Sequence, residues 1–212
     1  YQIHWPAGSF GSALVPIAET MRALTDLKQQ GKIRAIGVSN FSQAQLAEAM
    51  QYGRIDSLQP PYSLFWRFVE ADAMPYCVEQ QISILAYSPL AQGLLTGKFQ
   101  AGHQFEAEDV RRKNKLFEPE NFARAQQALA QLQPIAERHQ VSLGNLAIAW
   151  LIAQPQTHAI VGVRNAEQAH QNAIAATVQL SDAELAEISA IGAAVYAPMS
   201  DGNPVMWHFD SL

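Results

Sequence analysis

Hydrogen-bonding residues follow several short apolar segments of the sequence, at places where a side chain could contact a ligand. They are His4, Ser39 with Asn40, Gln59, Tyr87 with Ser88, and Gly162 with Arg164. Imidazole, hydroxyl and amide groups donate and accept hydrogen bonds, and the guanidinium of Arg carries a permanent charge that suits phosphate. These residue types together indicate recognition of a polar small molecule.

The apolar segments that precede these residues have the length of β-strands. They cover residues 1–3, 33–38, 57–59, 82–86 and 158–161. Other segments repeat apolar residues at three- and four-residue steps, as helices with one buried face do. These cover residues 14–30, 42–52, 70–81, 119–139, 142–153, 166–176 and 181–193. Strands that alternate with such helices predict right-handed crossovers and a parallel sheet, so the fold class is α/β.

The polar residues occupy equivalent positions in this predicted fold. The carboxyl ends of parallel strands lie on one rim, where ligands bind and catalytic groups are placed. The turn at 30–32, which belongs to the opposite edge, is an ordinary Gly-containing turn. We therefore expect the five strands to deliver their polar groups to a common site.

Composition argues against several classes of function. Lys and Arg number 14 against 19 Asp and Glu, a net charge of −5 without a basic stripe, so nucleic acid and anionic membranes are not expected partners. The sequence has no apolar run of the roughly 18 residues that span a bilayer, and no signal-peptide pattern at its start. The single Cys77 predicts a reducing, cytoplasmic location, and no Cys and His cluster has metal-ligand spacing.

We interpret residues 1–212 as a single domain because no Pro, Gly and Ser-rich linker divides the sequence. The connection at residues 91–118 is too long for a simple turn and predicts a lid or binding loop. Its basic run, residues 111–113, would either be solvated or help to close over a ligand.

Five motifs, in this order and spacing, resemble the aldo-keto reductase family over residues 1 to about 195. They are Ile3-His4-Trp5-Pro6, Ile36-Gly37-Val38-Ser39-Asn40-Phe41, Gln59-Pro60-Pro61-Tyr62-Ser63, Ala86-Tyr87-Ser88-Pro89-Leu90 with Gly93-Leu94-Leu95-Thr96-Gly97-Lys98, and Val161-Gly162-Val163-Arg164-Asn165-Ala166-Glu167-Gln168. The resemblance implies an eight-unit (β/α) barrel of the TIM type. The chain would correspond to units four to eight and lack the first three βα units.

The resemblance also implies a nicotinamide dinucleotide site. Ser39, Asn40 and Gln59 would hold the nicotinamide carboxamide, and Tyr87 would stack on its ring. The pyrophosphate would lie at Ser88, Leu90, Gln92 and Gly93, and the adenosine end at Gly162, Arg164, Gln168 and Asn172. Arg164 at the start of a predicted helix favours NADPH over NADH because both features attract the extra phosphate.

His4 is the catalytic residue that the resemblance places in this chain, where it would polarise or orient a substrate carbonyl. The Asp, Tyr and Lys of the family's catalytic group would belong to the first three βα units. The implied function is NADPH-dependent reduction of an aldehyde or ketone by hydride transfer, with the isolated chain inactive or nearly so. The open barrel would self-associate or require the missing N-terminal part, because unpaired edge strands and apolar faces would be exposed.

Two other functions stay open at this stage. The chain could be an NADP(H)-binding regulatory subunit that resembles the potassium channel beta subunits, or a structural remnant with no ligand. Each site residue also has a plain structural interpretation. Ser39-Asn40 could cap the helix that begins near Ser42, Tyr87 and His4 could be packed core residues, and Arg164 could be a solvated charge.

Overall fold

The computed structural model describes residues 1–100 and 102–208, which form two lobes. The described residues of the first lobe are Tyr1–Pro60 and Val69–Leu85, and the second lobe consists of Pro61–Phe68 and Ala86–His208 without residue 101. The strands are β1 Gln2–Ile3, β2 Gly37–Ser39, β3 Ser57–Gln59, β4 Ser83–Ala86 and β5 Thr157–Ala159. The helices are α1 Ile17–Gln29, α2 Gln43–Ala49, α3 Phe68–Ala71, α4 Ala73–Glu79, α5 Pro119–Arg138, α6 Leu143–Ile152, α7 Ala166–Ala173 and α8 Asp182–Tyr196.

The strands follow one another in sequence order across the sheet, from β1 to β5. In the first lobe, β1 pairs with β2, β2 with β3 and β3 with β4, and every one of these pairs is parallel. In the second lobe, the Ile160 N–H donates to the carbonyl of Ala86, the last residue of β4, at 2.9 Å. The α/β fold class predicted from the sequence is therefore confirmed.

The first helix begins later than its apolar periodicity predicts. Leu14 belongs to the apolar pattern of residues 14–30, yet the helix starts at Ile17 and Leu14 is 85% exposed. The cause is Pro16, whose ring disfavours helical backbone in the residue before it. Met21 and Leu24, farther along the same pattern, are buried as expected.

The predicted helix at residues 70–81 is also divided. The structure has two short helices, α3 and α4, and Asp72 between them leaves the helical region with φ −111° and ψ −93°. The Asp72 carboxylate accepts from the backbone N–H of Gln43, the first residue of α2, at 3.4 Å. A break at this position places a carboxylate at the N-terminus of α2, where an anion is favoured.

The core of the second lobe is built around α6. Ser142 caps this helix by accepting from the Asn145 N–H, and every residue from Gly144 to Leu151 is buried. Both α5 and α7 contact α6, and α5 also packs on α8. Among the helices of the described residues, none is both long and apolar enough to cross a membrane.

Gly192 allows the backbone of α8 to lie close to the backbone of Leu64 in this core. A Cβ built on Gly192 of α8 would lie 2.5 Å from the backbone oxygen of Leu64, which no rotamer change can relieve. Gly144 in α6 differs, since a Cβ there would meet its neighbours at 3.7 Å, an ordinary van der Waals distance.

These two glycines give a matched test of the packing. We expect Gly192→Ala to destabilise the protein by about 1–3 kcal/mol through overpacking. Gly144→Ala should be neutral or stabilise by up to about 1 kcal/mol, because Ala favours helix over Gly. Urea denaturation followed by circular dichroism measures both, and equal free-energy changes for the two variants would contradict the proposed close approach.

Candidate functional site

The first lobe brings four of the predicted site residues together at the carboxyl ends of its strands. His4 directly follows β1, Ser39 ends β2 and Gln59 ends β3. The parallel register pairs Ser39 with Gln59, so these two residues lie side by side at the edge of the sheet. Asn40 follows Ser39, and its backbone N–H donates to the carbonyl of Gln59 at 3.3 Å.

Side-chain hydrogen bonds connect this cluster. The Ser39 hydroxyl donates to the Gln59 carbonyl at 2.6 Å, and the Asn40 Nδ2 donates to Ser39 Oγ at 3.0 Å and to the His4 carbonyl at 3.1 Å. Ser39 is buried, Asn40 is half-buried and His4 is exposed. A buried hydroxyl with partners on both sides keeps one orientation, so the amide of Asn40 is held at a fixed place beside the imidazole-bearing residue.

The backbone at Asn40 has a left-handed conformation, with φ 60°. Asn tolerates this region better than most residues with a Cβ because its short polar side chain bonds locally. The alternative role of Ser39 and Asn40 as a helix cap does not apply. Ser42 caps α2 instead, in a capping box with Gln45.

The second lobe contains a pocket of about 860 Å³ at the start of α7. All eight residues that the sequence assigned to the pyrophosphate and adenosine ends line it: Ser88, Leu90, Gln92, Gly93, Gly162, Arg164, Gln168 and Asn172. They come from two stretches separated by about seventy residues, so tertiary folding brings them together. The volume lies within the usual range of small-molecule and cofactor sites.

A tightly bent loop forms one wall of this pocket. Ser88, Ala91 and Gln92 all have positive φ, at 54°, 50° and 57°, and Gly93 follows with φ 90°. The Gln92 side chain donates to Ser88 Oγ at 2.6 Å and so braces the bend. Successive residues with such backbone angles are costly and concentrate at ligand sites, where they turn backbone amides toward a bound group.

Three cationic side chains and one carboxylate line the same pocket: Lys98, Arg111, Arg164 and Asp109. The Arg111 Nε donates to Asp109 Oδ1 at 2.8 Å, and this pairing lowers the pKa of the Asp109 carboxyl to about 2. The guanidinium of Arg111 also lies over the rings of Phe99 and Phe105, at 5.4 and 4.5 Å from their centroids. Arg111 is therefore held in place before any ligand arrives, and the cations outnumber the carboxylate.

The start of α7 adds backbone donors to the pocket. Asn165 caps the helix by accepting from the Gln168 N–H, and the Gln168 side chain accepts from the Arg164 N–H at 2.8 Å. This network holds Arg164 at the positive end of the helix dipole. An anion at this position would meet a charged side chain and the end of a helix together.

Tyr87 directly follows β4 and precedes the pocket-lining Ser88. It is half-buried, and burial raises the pKa of its phenol well above the usual range. Its ring is stacked against that of Trp207, with centroids 6.5 Å apart and planes at 16°. A neutral aromatic ring in this place is suited to flat apolar contact.

The pocket also contains residues that the sequence did not identify as site residues, chiefly Thr96, Lys98, Asp109 and Arg111. The available signal was the long connection at 91–118, which predicted a binding loop. Of the basic run within it, Arg111 lines the pocket, whereas the Arg112 side chain donates to the Ala107 carbonyl. Within residues 1–100 and 102–208, no three His, Cys, Asp or Glu side chains group as metal ligands do.

The described residues form an α/β fold with polar and charged side chains at the carboxyl ends of its parallel strands. The chain belongs to the aldo/keto reductase family, whose model matches residues 1–193.

Named relatives agree with this assignment. The chain is 38% identical over 186 residues to the NADH-specific methylglyoxal reductase of Escherichia coli, covering 87% of the chain and 56% of that protein. It is 40% identical over 156 residues to the aldo-keto reductase YhdN of Bacillus subtilis, covering 73% and 46%. The chain therefore spans about half the length of these curated relatives.

Solved structures show the same fold. A glycerol dehydrogenase from Gluconobacter oxydans has a TM-score of 0.84 and 34% identity, covering 98% of the chain and 61% of that structure. An aldo-keto reductase from Klebsiella pneumoniae, solved with NADPH, has a TM-score of 0.65 and 25% identity, covering 99% and 61%. The predicted α/β fold class, a parallel sheet whose strands alternate with helices, is confirmed by this likeness to aldo-keto reductase structures.

The left-handed backbone at Asn40 leads to a prediction about stability. Asn40→Gly removes the side-chain hydrogen bonds but leaves a residue that adopts φ 60° freely. Asn40→Ala removes the same bonds and places a Cβ in a disfavoured region, so we expect it to be less stable than Asn40→Gly by about 1 kcal/mol. Urea unfolding of both variants measures the difference, and an Ala variant as stable as the Gly variant would show that the backbone relaxes elsewhere.

Proposed function

We propose that this chain forms the cofactor-binding part of an NADPH-dependent reductase of aldehydes or ketones. The observation that carries the proposal is the pocket of the second lobe, in which eight of the twelve predicted dinucleotide residues, Arg164 among them, lie together with two further cationic side chains, Lys98 and Arg111. A dinucleotide carries several phosphate charges, and a bent loop, a helix N-terminus and fixed guanidinium groups are the features that bind phosphate in proteins.

Each end of the cofactor has candidate partners. The bent loop at Ser88 and Gly93 would bind the pyrophosphate, and the start of α7 with Arg164 would bind the adenosine end. Tyr87 would contact the nicotinamide ring. That Ser39, Asn40 and Gln59 of the first lobe hold the nicotinamide carboxamide stays a prediction of the resemblance. The bound cofactor supplies the hydride, and the protein's contribution is alignment and charge stabilisation.

His4 is the proposed catalytic residue of the chain. Its exposed imidazole follows β1, and the Asn40 amide holds its backbone carbonyl at 3.1 Å. At this place the imidazole would donate a hydrogen bond to a substrate carbonyl and stabilise the charge that develops on its oxygen. An acid that donates a proton to that oxygen would come from outside these 212 residues, as would the Asp and Lys of the family's catalytic group.

We further propose that activity requires an N-terminal part of the barrel. The aligned relatives are nearly twice as long as the matched region, since the chain covers 56% of the Escherichia coli protein. Large apolar side chains near β1 are also exposed, with Tyr1 at 69% and Phe10 at 46%. Such surface would associate with additional βα units or, in their absence, with another copy of the chain.

The proposal predicts an activity difference between the isolated chain and an extended one. NADPH oxidation with a simple aldehyde would be measured for the 212-residue chain and for a version extended by the first three βα units of the Escherichia coli relative. We expect the extended protein to be faster by about 10²- to 10⁴-fold, the usual contribution of a positioned general acid.

NADPH binding serves as the control in this experiment. Equal turnover by the two proteins would contradict the proposed division of the catalytic group. Tight NADPH binding by both proteins, with no turnover by either, would instead favour a regulatory nucleotide-binding subunit.

Preference for NADPH over NADH is the finer part of the proposal. The name of the Escherichia coli relative specifies NADH, whereas the Klebsiella structure was solved with NADPH. In this chain, Arg164 with the start of α7 supports a phosphate at the adenosine end.

We expect Arg164→Ala to weaken NADPH binding by about 10-fold or more, because a hydrogen bond between charged groups is lost. NADH binding should change by less than about 3-fold, since the partner phosphate is absent. Fluorescence titration measures both, and Arg112→Ala, which removes an exposed charge from the same lobe, is the matched control. A similar loss of NADPH and NADH affinity in Arg164→Ala would show that Arg164 does not distinguish them.

A further inference from the structure

The end of the second lobe forms a strap, residues 200–208, that is anchored at several points. The Lys115 ammonium, which is buried, pairs with the Asp201 carboxylate at 2.7 Å. The indole N–H of Trp66 donates to the Pro204 carbonyl at 3.1 Å. These contacts involve buried groups of the lobe, so the strap is part of its packing.

Backbone pairing fixes the register of the strap at Trp207. Asn114 and Trp207 form an antiparallel bridge, and the backbone hydrogen bonds on either side of this pair both measure 2.9 Å. Asn114 and Trp207 are thus the non-hydrogen-bonded pair of a short ladder, the geometry in which opposite side chains lie closest. Asn114 is 1% exposed. The strap is therefore anchored at Trp207 by pairing with a buried residue.

This pairing explains how a residue near the end of the chain reaches the end of β4. The Trp207 ring lies against Tyr87 with its plane tilted by only 16°. Tyr87 is in turn tied to its neighbours by its backbone carbonyl, which accepts from the Tyr62 N–H at 3.1 Å. The backbone of Tyr87 is therefore held by the segment at Pro61 and Tyr62, and Trp207 supports the plane of its ring.

We propose that Trp207 is a positioning residue for the nicotinamide ring, acting through Tyr87. The inference rests on the proposed function, because it requires the cofactor ring to contact Tyr87. A ring that is free to turn loses entropy when a flat ligand stacks on it, whereas a ring already supported by a parallel neighbour does not. The strap thereby contributes to nicotinamide binding without contacting the adenosine end.

The test separates the two ends of the cofactor. Binding of NADPH and of 2′,5′-ADP, which has the phosphates of the adenosine end but no nicotinamide, would be measured by calorimetry. The proteins are the full chain, Trp207→Leu and Trp207→Phe. Phe keeps an aromatic ring at the position and serves as the conservative rescue.

We expect Trp207→Leu to raise the Kd for NADPH by about 3- to 10-fold and to leave that for 2′,5′-ADP within about 2-fold, in keeping with the value of one aromatic pair. Trp207→Phe should recover most of the NADPH affinity. Equal weakening of both ligands in Trp207→Leu would assign Trp207 a merely structural role and overturn the inference, as would unchanged NADPH binding. Failure of the full chain to bind 2′,5′-ADP would overturn the proposed function itself.

Discussion

Parallel pairing of short strands is the constraint on which the rest of the structure depends. Each strand is only two to four residues long. Its pairing with the neighbouring strand therefore decides which residue stands at its carboxyl end. The pairing of Ser39 with Gln59 shows the consequence, because a shift by one residue would turn Ser39 to the other face of the sheet. The hydrogen bonds between these residues and Asn40 would then be lost.

The two clusters use polar groups in different ways. In the first lobe, the Ser39 hydroxyl and the Asn40 amide bond to backbone carbonyls of adjacent strand ends. These polar groups are therefore satisfied by hydrogen bonds within the protein. The cluster is held in place by these bonds and contains no strongly charged group. In the second lobe, charge dominates, and Lys98, Arg111 and Arg164 create a positive field that a phosphate-bearing ligand would neutralise.

Packing around the second cluster restricts the conformations of its charged side chains. Arg111 is held by Asp109 and by two Phe rings, so little side-chain freedom remains to be lost when a ligand binds. Aromatic rings have the same effect at Tyr87, where Trp207 supplies the neighbour. The strained loop at Ala91 and Gln92 is maintained by buried contacts, since Ala91, Leu94 and Leu95 are fully buried. Rigid positioning of this kind is what an extended cofactor requires if its reactive ring is to meet a substrate.

The sequence alone determined the fold class and predicted which residues follow the strands. Alternating apolar runs and helical periodicity are local signals, and they located all five strands and, for α5 and α6, the helix bounds to within one residue. The residues after the strands could be identified because parallel strands place their carboxyl ends at one edge, whatever the details of packing.

Tertiary structure decided what local signals could not express. Asp72 divides a predicted helix, and Lys98, Asp109 and Arg111 belong to the pocket because a long connection folds back on the lobe. The contact between Trp207 and Tyr87 joins residues 120 positions apart, and no periodicity encodes such a pairing, because it depends on the buried groups that anchor the strap.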